Sequence, residues 1–116
     1  MKKNFHNFLD CYLSELVNSI KISDIKQIEE ASLRILKTVK KKGTIFVCGN
    51  GGSAAISNHY VCDYLKFLRQ HTRLKPKVIS LSNNLETITA ITNDFNYDKV
   101  FSYQAESLFE KNDLLI

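Results

Sequence analysis

Proline, glycine and tryptophan are scarce in this sequence. Its 116 residues include one proline, four glycines and no tryptophan, while apolar residues make up 44% and charged residues 24%. These are the proportions of a globular chain, which excludes a disordered segment or a coiled-coil rod. A chain of this length is typical of one hydrophobic core.

Long apolar runs are also absent. No run approaches the roughly 20 residues that a membrane-spanning helix needs, and the charged start of the chain is not followed by the apolar block of a secretory signal. Three cysteines, Cys11, Cys48 and Cys62, show no paired spacing, which argues against a disulfide framework or a zinc knuckle. We therefore expect a cytoplasmic protein with reduced thiols and no membrane contact.

Acidic side chains are missing from one basic stretch. The net charge is +4, and residues 66–77 contain no acidic residue and five basic ones, namely Lys66, Arg69, Arg73, Lys75 and Lys77. Such a stretch is most often a solvated surface and less often the rim of an anion site. Neither a helix-turn-helix pattern nor an aromatic platform accompanies it, so we expect no direct binding of nucleic acid.

Two amphipathic helices are predicted at the start of the chain. Apolar side chains recur at helical intervals over residues 5–20 and again over 25–39, each set forming one helical face. Ser23 or Asp24 can cap the second helix, with Gln27 at the reciprocal capping position. Gly43 is expected to end that helix after a run of lysines.

The remainder of the chain predicts alternating strands and helices. Buried strands are expected over 44–48 and 77–81 because both are rich in β-branched residues, and residues 112–116 begin a third apolar strand. Helices are expected over 53–69, beginning with a Ser53 cap, then over 85–92 and 97–109. Residues 82–84 are turn and cap residues for the second of these helices.

This order of elements predicts an α/β fold with three layers, a doubly wound parallel sheet of flavodoxin-like type that is truncated in its third strand. Residues 1–42 are expected to form a helical segment that packs on the domain and at an oligomer interface, because the first apolar stripe exceeds what one small sheet can cover. Residues 43–116 would form the first part of the domain itself.

All four glycines fall within residues 43–52. A glycine turn between a buried strand and a helix lets the backbone approach an anion closely, and the free amides of the helix attract negative charge. Asn50 and Ser53 add an amide and a hydroxyl. A tight turn without any ligand remains an alternative.

Nucleotide-binding motifs fit this loop poorly. Gly49, Gly51 and Ala54 satisfy the relaxed dinucleotide fingerprint, but Asn83 and Asn84 stand where a ribose-binding acid should close the second strand. No Gly-Lys-Ser/Thr follows, which excludes the phosphate-binding loop of nucleotide hydrolases. We therefore expect no nucleotide cofactor.

A longer set of residues resembles a known family. The run Cys-Gly-Asn-Gly-Gly-Ser-Ala-Ala over 48–55 is followed by His59, Asp63, the strand Val-Ile-Ser-Leu over 78–81 and the run Thr-Asn-Asp-Phe over 92–95. In this combination the chain resembles the phosphoheptose isomerases of the sugar isomerase (SIS) domain family. The resemblance spans essentially the whole chain and about the first three-fifths of such a protein.

The resemblance implies an enzyme that interconverts sedoheptulose 7-phosphate and a heptose 7-phosphate for bacterial surface polysaccharide. Asp63 then matches the catalytic base, one helical turn after His59, and some members bind zinc through these two positions and two further residues. Substrate-contacting positions match Asn50, Gly51, Gly52, Ser53 and Asp94. Similar proteins are homotetramers with sites between subunits.

Departures from the family pattern affect the expected activity. The family base is usually glutamate, whereas Asp63 is one methylene shorter, and Phe67 replaces an arginine that usually follows. A second phosphate loop and a late helix are expected only beyond Ile116, so residues 1–116 alone are predicted to have negligible turnover. A phosphosugar-binding or replication-initiator-binding protein without catalysis remains the alternative function.

Simpler roles also remain open for single residues. His59 alone is often a core or surface histidine, and Asp63 can be no more than its ion-pair partner. Asp94 can be part of a helix-end turn.

Overall fold

Two units make up the chain in a computed structural model that describes residues 4–116. One unit extends to Ala31 and the other runs from Ser32 to Ile116. The first contains helix α1 (Phe5–Lys21) and the beginning of helix α2 (Ile25–Lys40). No helix within the described residues is long and apolar enough to cross a bilayer.

The remaining elements follow α2 in the second unit. They are strand β1 (Thr44–Val47), helix α3 (Gly52–Cys62), a π-helical segment (Asp63–Leu68), the single turn α4 (Arg69–His71), strand β2 (Lys77–Ser80), helix α5 (Leu85–Asp94), a 3-10 turn (Tyr97–Lys99), helix α6 (Val100–Leu108) and strand β3 (Leu114–Leu115). The predicted alternation of strands and helices is confirmed.

Helix α1 carries an exposed apolar face. Its first turn is capped by Asn4, whose Oδ1 accepts a hydrogen bond from the backbone N–H of His6 at 3.2 Å. None of the residues of α1 is buried, and Phe5 and Ile20, near its two ends, are 68% and 61% exposed. The predicted helical stripe therefore forms as expected and remains solvent-facing in the single chain.

Helix α2 begins with the cap that its sequence predicts. Asp24 Oδ1 accepts from the backbone N–H groups of Lys26 and Gln27 at 3.0 and 3.3 Å, and Asp24 Oδ2 accepts from Gln27 Nε2 at 3.1 Å. Asp24 rather than Ser23 is thus the capping residue. These bonds satisfy backbone donors that the first helical turn leaves without an internal partner.

The end of α2 requires both a left-handed residue and a glycine. Lys42, not Gly43, adopts the left-handed conformation, with φ of 61°. Gly43 is needed for a different reason, since a Cβ there would overlap the backbone carbonyl of Asn112. The expected stop at Gly43 is therefore correct in place, and close backbone contact is its cause.

The three strands form a parallel sheet in the order β2-β1-β3. Strand β1 is central and has partners on both sides, and Ile45, Phe46 and Val47 are at most 2% exposed. Strand β2 is different from the prediction, because only Val78 and Ser80 are buried while the alternate residues face solvent. Within the described sheet β2 is an edge strand, paired with β1 alone. The prediction that both faces of β2 are buried is therefore wrong.

Helical segments pack on both faces of the sheet, as a three-layer arrangement requires. On one face the core joins Val39 of α2 with Ile45, Val47 and Val78, and Tyr60 of α3 packs against it. Phe46 faces the opposite side, where its ring stacks on that of Phe109 after α6, with centroids 4.3 Å apart. The predicted α/β class is confirmed, and the carboxyl end of β1 lies where α3 begins.

The helix after β1 differs from the prediction at its start and in its middle. Gly51 is the capping residue, with φ of 55° and no side-chain hydrogen bond; the Ser53 cap is wrong because Ser53 already lies in the helix, where its N–H donates to Asn50 O at 3.0 Å. A left-handed φ at this turn favours glycine over serine. The predicted continuous helix also changes to π geometry at Asp63.

Candidate functional site

The glycine loop at the carboxyl end of β1 is held from the neighbouring strand end. Gly49 N–H donates to Ser82 Oγ at 3.0 Å, and the same hydroxyl donates to the Gly49 carbonyl at 2.8 Å. A Cβ on Gly49 would overlap the backbone carbonyl of Ser53 and approach Ser53 Cβ to 2.7 Å. The loop is therefore fixed at Gly49 by two hydrogen bonds and by close contact with the first turn of α3.

The next two glycines are open to solvent. A Cβ built on Gly51 or on Gly52 would meet no atom within 4 Å, and both residues are exposed. Their amides come before the first hydrogen bonds within α3, so they can donate to an anion at a helix amino terminus. The exposed Ser53 adds a hydroxyl beside these two glycines.

Asn50 is oriented by a residue from a distant part of the chain. Tyr97 Oη, in the 3-10 turn before α6, donates to Asn50 Oδ1 at 2.7 Å across 47 residues of sequence. Acceptance at Oδ1 leaves the two N–H groups of Asn50 Nδ2 as its donors. Sequence reasoning missed Tyr97, because no spacing motif connects it with the glycine loop.

His59 in α3 and Asp63, the first residue of the π-helical segment that continues it, lie on one helical face, one turn apart. His59 Nε2 and Asp63 Oδ1 are 3.4 Å apart, and the side chains are 74% and 56% exposed. Together with Ala55, Ile56 and Tyr60 they line an open depression of about 340 Å³. At about 1.5 Å rise per residue, His59 lies roughly 10 Å along α3 from Gly52.

Two tyrosines follow the same helical spacing beside this depression. The rings of Tyr60 and Tyr64 stack with centroids 4.4 Å apart, and Tyr60 Oη donates to Tyr64 Oη at 2.7 Å. Burial raises the pKa of Tyr60, and the hydrogen bond and nearby charge of Tyr64 raise it further. Tyr60 is therefore a neutral hydroxyl at physiological pH, and sequence reasoning did not single out this pair.

Asp94 occupies a separate position at the end of α5. Its Oδ1 accepts from Asn93 Nδ2 at 2.9 Å, and its side chain is exposed. Within residues 4–116, neither a hydrogen bond nor an ion pair joins Asp94 to the glycine loop or to the His59–Asp63 pair. Within the single chain, Asp94 is thus a helix-end acid, and its predicted contact with substrate stays a prediction.

The fit of these residues to zinc depends on the number of donors. An imidazole nitrogen and a carboxylate oxygen are donors that zinc accepts, and His59 and Asp63 bring two of them within 3.4 Å. A zinc site needs at least three protein donors, and the described part of the chain contains no cluster of three His, Cys, Asp or Glu residues. The described residues alone do not complete such a site.

The sequence matches a known domain model over most of its length. The model of the SIS domain matches residues 10–116. A phosphoheptose isomerase from Aliarcobacter butzleri is 40% identical over 89 residues, which cover 77% of this chain and 47% of the relative. A phosphoheptose isomerase from Helicobacter pylori is 39% identical over 85 residues, covering 71% of this chain and 42% of the relative.

Solved structures agree in fold. The phosphoheptose isomerase from Neisseria gonorrhoeae matches with a TM-score of 0.80 and 25% identity. The match covers 97% of this chain and 59% of the Neisseria gonorrhoeae chain. The phosphoheptose isomerase from Francisella tularensis matches with a TM-score of 0.82. The match covers 97% of this chain and 60% of the Francisella tularensis chain. The chain spans a little under half the length of the curated relatives it matches.

Proposed function

The chain belongs to the SIS domain family, and from that membership we propose that the protein is a phosphosugar isomerase acting on sedoheptulose 7-phosphate. The observation that carries the proposal is a pair of chemical features on α3 and the π-helical segment that continues it. Gly51 and Gly52 are exposed at the amino terminus of α3, and a carboxylate, Asp63, follows the carboxyl end of α3 beside His59. Relatives named phosphoheptose isomerase support the choice of substrate class.

In the proposed reaction the glycine loop binds and Asp63 moves a proton. The amides of Gly51 and Gly52, the Ser53 hydroxyl and the Asn50 amide donate hydrogen bonds to oxygens of the sugar phosphate. The Asp63 carboxylate removes a proton from C1 of the ketose, an enediol forms, and the proton returns to C2 to give the aldose. A hydroxyl proton moves in the same sense, from O1 to O2, so that the C2 carbonyl becomes a hydroxyl and C1 becomes the aldehyde, and the isomerisation is balanced without a redox partner.

His59 has an orienting role in this proposal. Its Nε2 lies 3.4 Å from Asp63 Oδ1, close enough to hold the carboxylate in one rotamer when substrate excludes water. Zinc, if bound by the protein, would take His59 and Asp63 as two of its ligands and would polarise a sugar oxygen as a Lewis acid. No step above depends on it.

The proposal extends to assembly and cellular role. The exposed apolar face of α1 supports self-association, and we propose a homotetramer, as the resemblance to phosphoheptose isomerases implies. The proposed place of action is the cytoplasm, and the proposed product supplies bacterial surface polysaccharide.

A direct assay tests the activity. The protein at its natural length is incubated with sedoheptulose 7-phosphate in D₂O, and NMR follows formation of a heptose 7-phosphate. We expect aldose product with solvent deuterium incorporated at C2, because the base exchanges its proton with solvent during the enediol stage. Sedoheptulose without phosphate is the matched control and should convert far more slowly. Binding of sedoheptulose 7-phosphate without product would contradict isomerisation and favour the non-catalytic alternative.

A further inference from the structure

Among the described residues, the hydroxyl of Tyr97 donates a hydrogen bond to Asn50 in the proposed binding loop. We propose that Tyr97 is a positioning residue that orients the Asn50 side chain toward ligand. The inference rests on the proposed function for the identity of the ligand, a sugar phosphate. It rests on the structure for the contact itself, the 2.7 Å hydrogen bond from Tyr97 Oη to Asn50 Oδ1.

A carboxamide can rotate by 180° about its terminal bond and exchange its oxygen with its nitrogen. In the structure the Tyr97 hydroxyl donates to Oδ1, which leaves both Nδ2–H groups free. In the opposite orientation one Nδ2–H would donate to Tyr97 Oη, because a phenolic oxygen also accepts, and only one donor would remain for a ligand. Tyr97 therefore directs the Nδ2 donors of Asn50 away from the tyrosine. Those donors are then available for an oxygen of bound sugar phosphate.

The position of Tyr97 is fixed by the elements that follow it. Val100, three residues later, is 1% exposed and anchors the start of α6. Gln104 Nε2 donates to the Leu81 carbonyl at 3.1 Å and to the Val100 carbonyl at 2.9 Å. Leu81 N–H in turn donates to Val47 O at 2.9 Å, at the end of β1. The tyrosine and the loop it contacts are thus attached to the same end of the sheet.

Tyr97→Phe removes only the hydroxyl, and Tyr103→Phe provides a matched control. The two tyrosines are 44% and 45% exposed, both lie between α5 and the end of α6, and the ring of Tyr103 packs against Phe95 with centroids 5.0 Å apart. Loss of a hydroxyl from either site should leave the fold intact. Urea denaturation of both variants checks this.

The first measurement needs no ligand. In ¹⁵N NMR spectra of the free protein, Tyr97→Phe is expected to shift and broaden the side-chain amide resonances of Asn50, because its preferred orientation is lost. Tyr103→Phe should leave them in place. Asn50 side-chain resonances that are identical in the wild type and Tyr97→Phe would overturn the inference, whatever the ligand proves to be.

The second measurement uses sedoheptulose 7-phosphate and isothermal titration calorimetry on the protein at its natural length. Tyr97→Phe is expected to raise Kd about fivefold, the size of one neutral hydrogen bond. In an Asn50→Ala background the same change should have no further effect, since its only route is Asn50. If Tyr97→Phe raised Kd by the same factor in the Asn50→Ala background as in the wild type, the inference would be overturned. Tyr97 would then have a general structural role. No binding by the wild type would instead contradict the proposed function.

Discussion

Asp63→Asn is expected to lower kcat for sedoheptulose 7-phosphate by about a thousandfold, because general base catalysis contributes roughly 10²- to 10⁴-fold. Asparagine keeps the shape of the side chain and loses the basic carboxylate. Since the Asp63 side chain is 56% exposed, the change should leave folding and Kd close to the wild type. The measurements are steady-state isomerase rates and calorimetric affinities of the two proteins.

The control for this prediction is Asp98→Asn, which removes an exposed carboxylate from the 3-10 turn and should leave kcat unchanged. If Asp63→Asn retained wild-type kcat, Asp63 would not be the base. A wild-type protein that binds the sugar phosphate with no turnover at all would instead identify a binding protein. In that case the length of the Asp63 side chain would be the first feature to explain the lost turnover. Aspartate is one methylene shorter than the glutamate that the family usually has, and about 1 Å of misplacement can cost roughly a hundredfold in rate.

Gly49→Ala is expected to lower the free energy of unfolding by about 3 kcal/mol, at the upper end of the cost of overpacking. A methyl group there would overlap backbone atoms of Ser53, and backbone cannot rotate away as a flexible side chain can. The strand end and the first turn of α3 would have to separate. Both hydrogen bonds between Gly49 and Ser82 would then be strained. Urea denaturation monitored by circular dichroism measures the loss.

Gly52→Ala is the matched control within the same loop. A Cβ on Gly52 meets nothing within 4 Å, and its φ is not in the left-handed region. The change should alter stability by less than about 1 kcal/mol, and in the stabilising direction, because alanine lowers the entropy of the unfolded chain. Equal losses for Gly49→Ala and Gly52→Ala would show that close packing at Gly49 does not stabilise the loop.

Local patterns predict the helices and the central strand well. The period of apolar residues places α1 and α2, Asp24 caps α2, and residues 45–47 of β1 are buried. Asn84 caps α5 by accepting from Thr87 N–H at 2.7 Å, as the turn residues before that helix indicate. In each case the determining contacts lie within a few residues of one another, so sequence spacing is sufficient.

Contacts across the sheet explain what the sequence did not predict. Ser82 meets Gly49 across 33 residues and Tyr97 meets Asn50 across 47, and neither distance has a periodic signature. The cap at Gly51 depends on backbone conformation rather than on a side-chain oxygen. Ser53, two residues later, therefore indicates the wrong start for α3. The π segment at Asp63 breaks no apolar pattern and therefore left no signal.

The candidate site was predicted in part. Sequence spacing alone places His59 and Asp63 on one helical face, and the 3.4 Å approach of their side chains agrees with that. The catalytic and binding roles of Asn50, Gly51, Gly52, Ser53, His59, Asp63 and Asp94 come from the family resemblance and stay predictions. For Asp94 the distance to the loop depends on how separate elements are placed, which spacing cannot encode.

If the backbone amides of Gly51 and Gly52 at the start of α3 hold the sugar phosphate, a ¹⁵N NMR titration of the protein at its natural length with sedoheptulose 7-phosphate should show the contact residue by residue. We predict that the largest saturable shifts fall on the backbone amides of Gly51 and Gly52, with little response to unphosphorylated sedoheptulose. Saturable shifts centred on the basic residues of 66–77, with Gly51 and Gly52 unmoved, would contradict binding of the phosphate by the glycine loop.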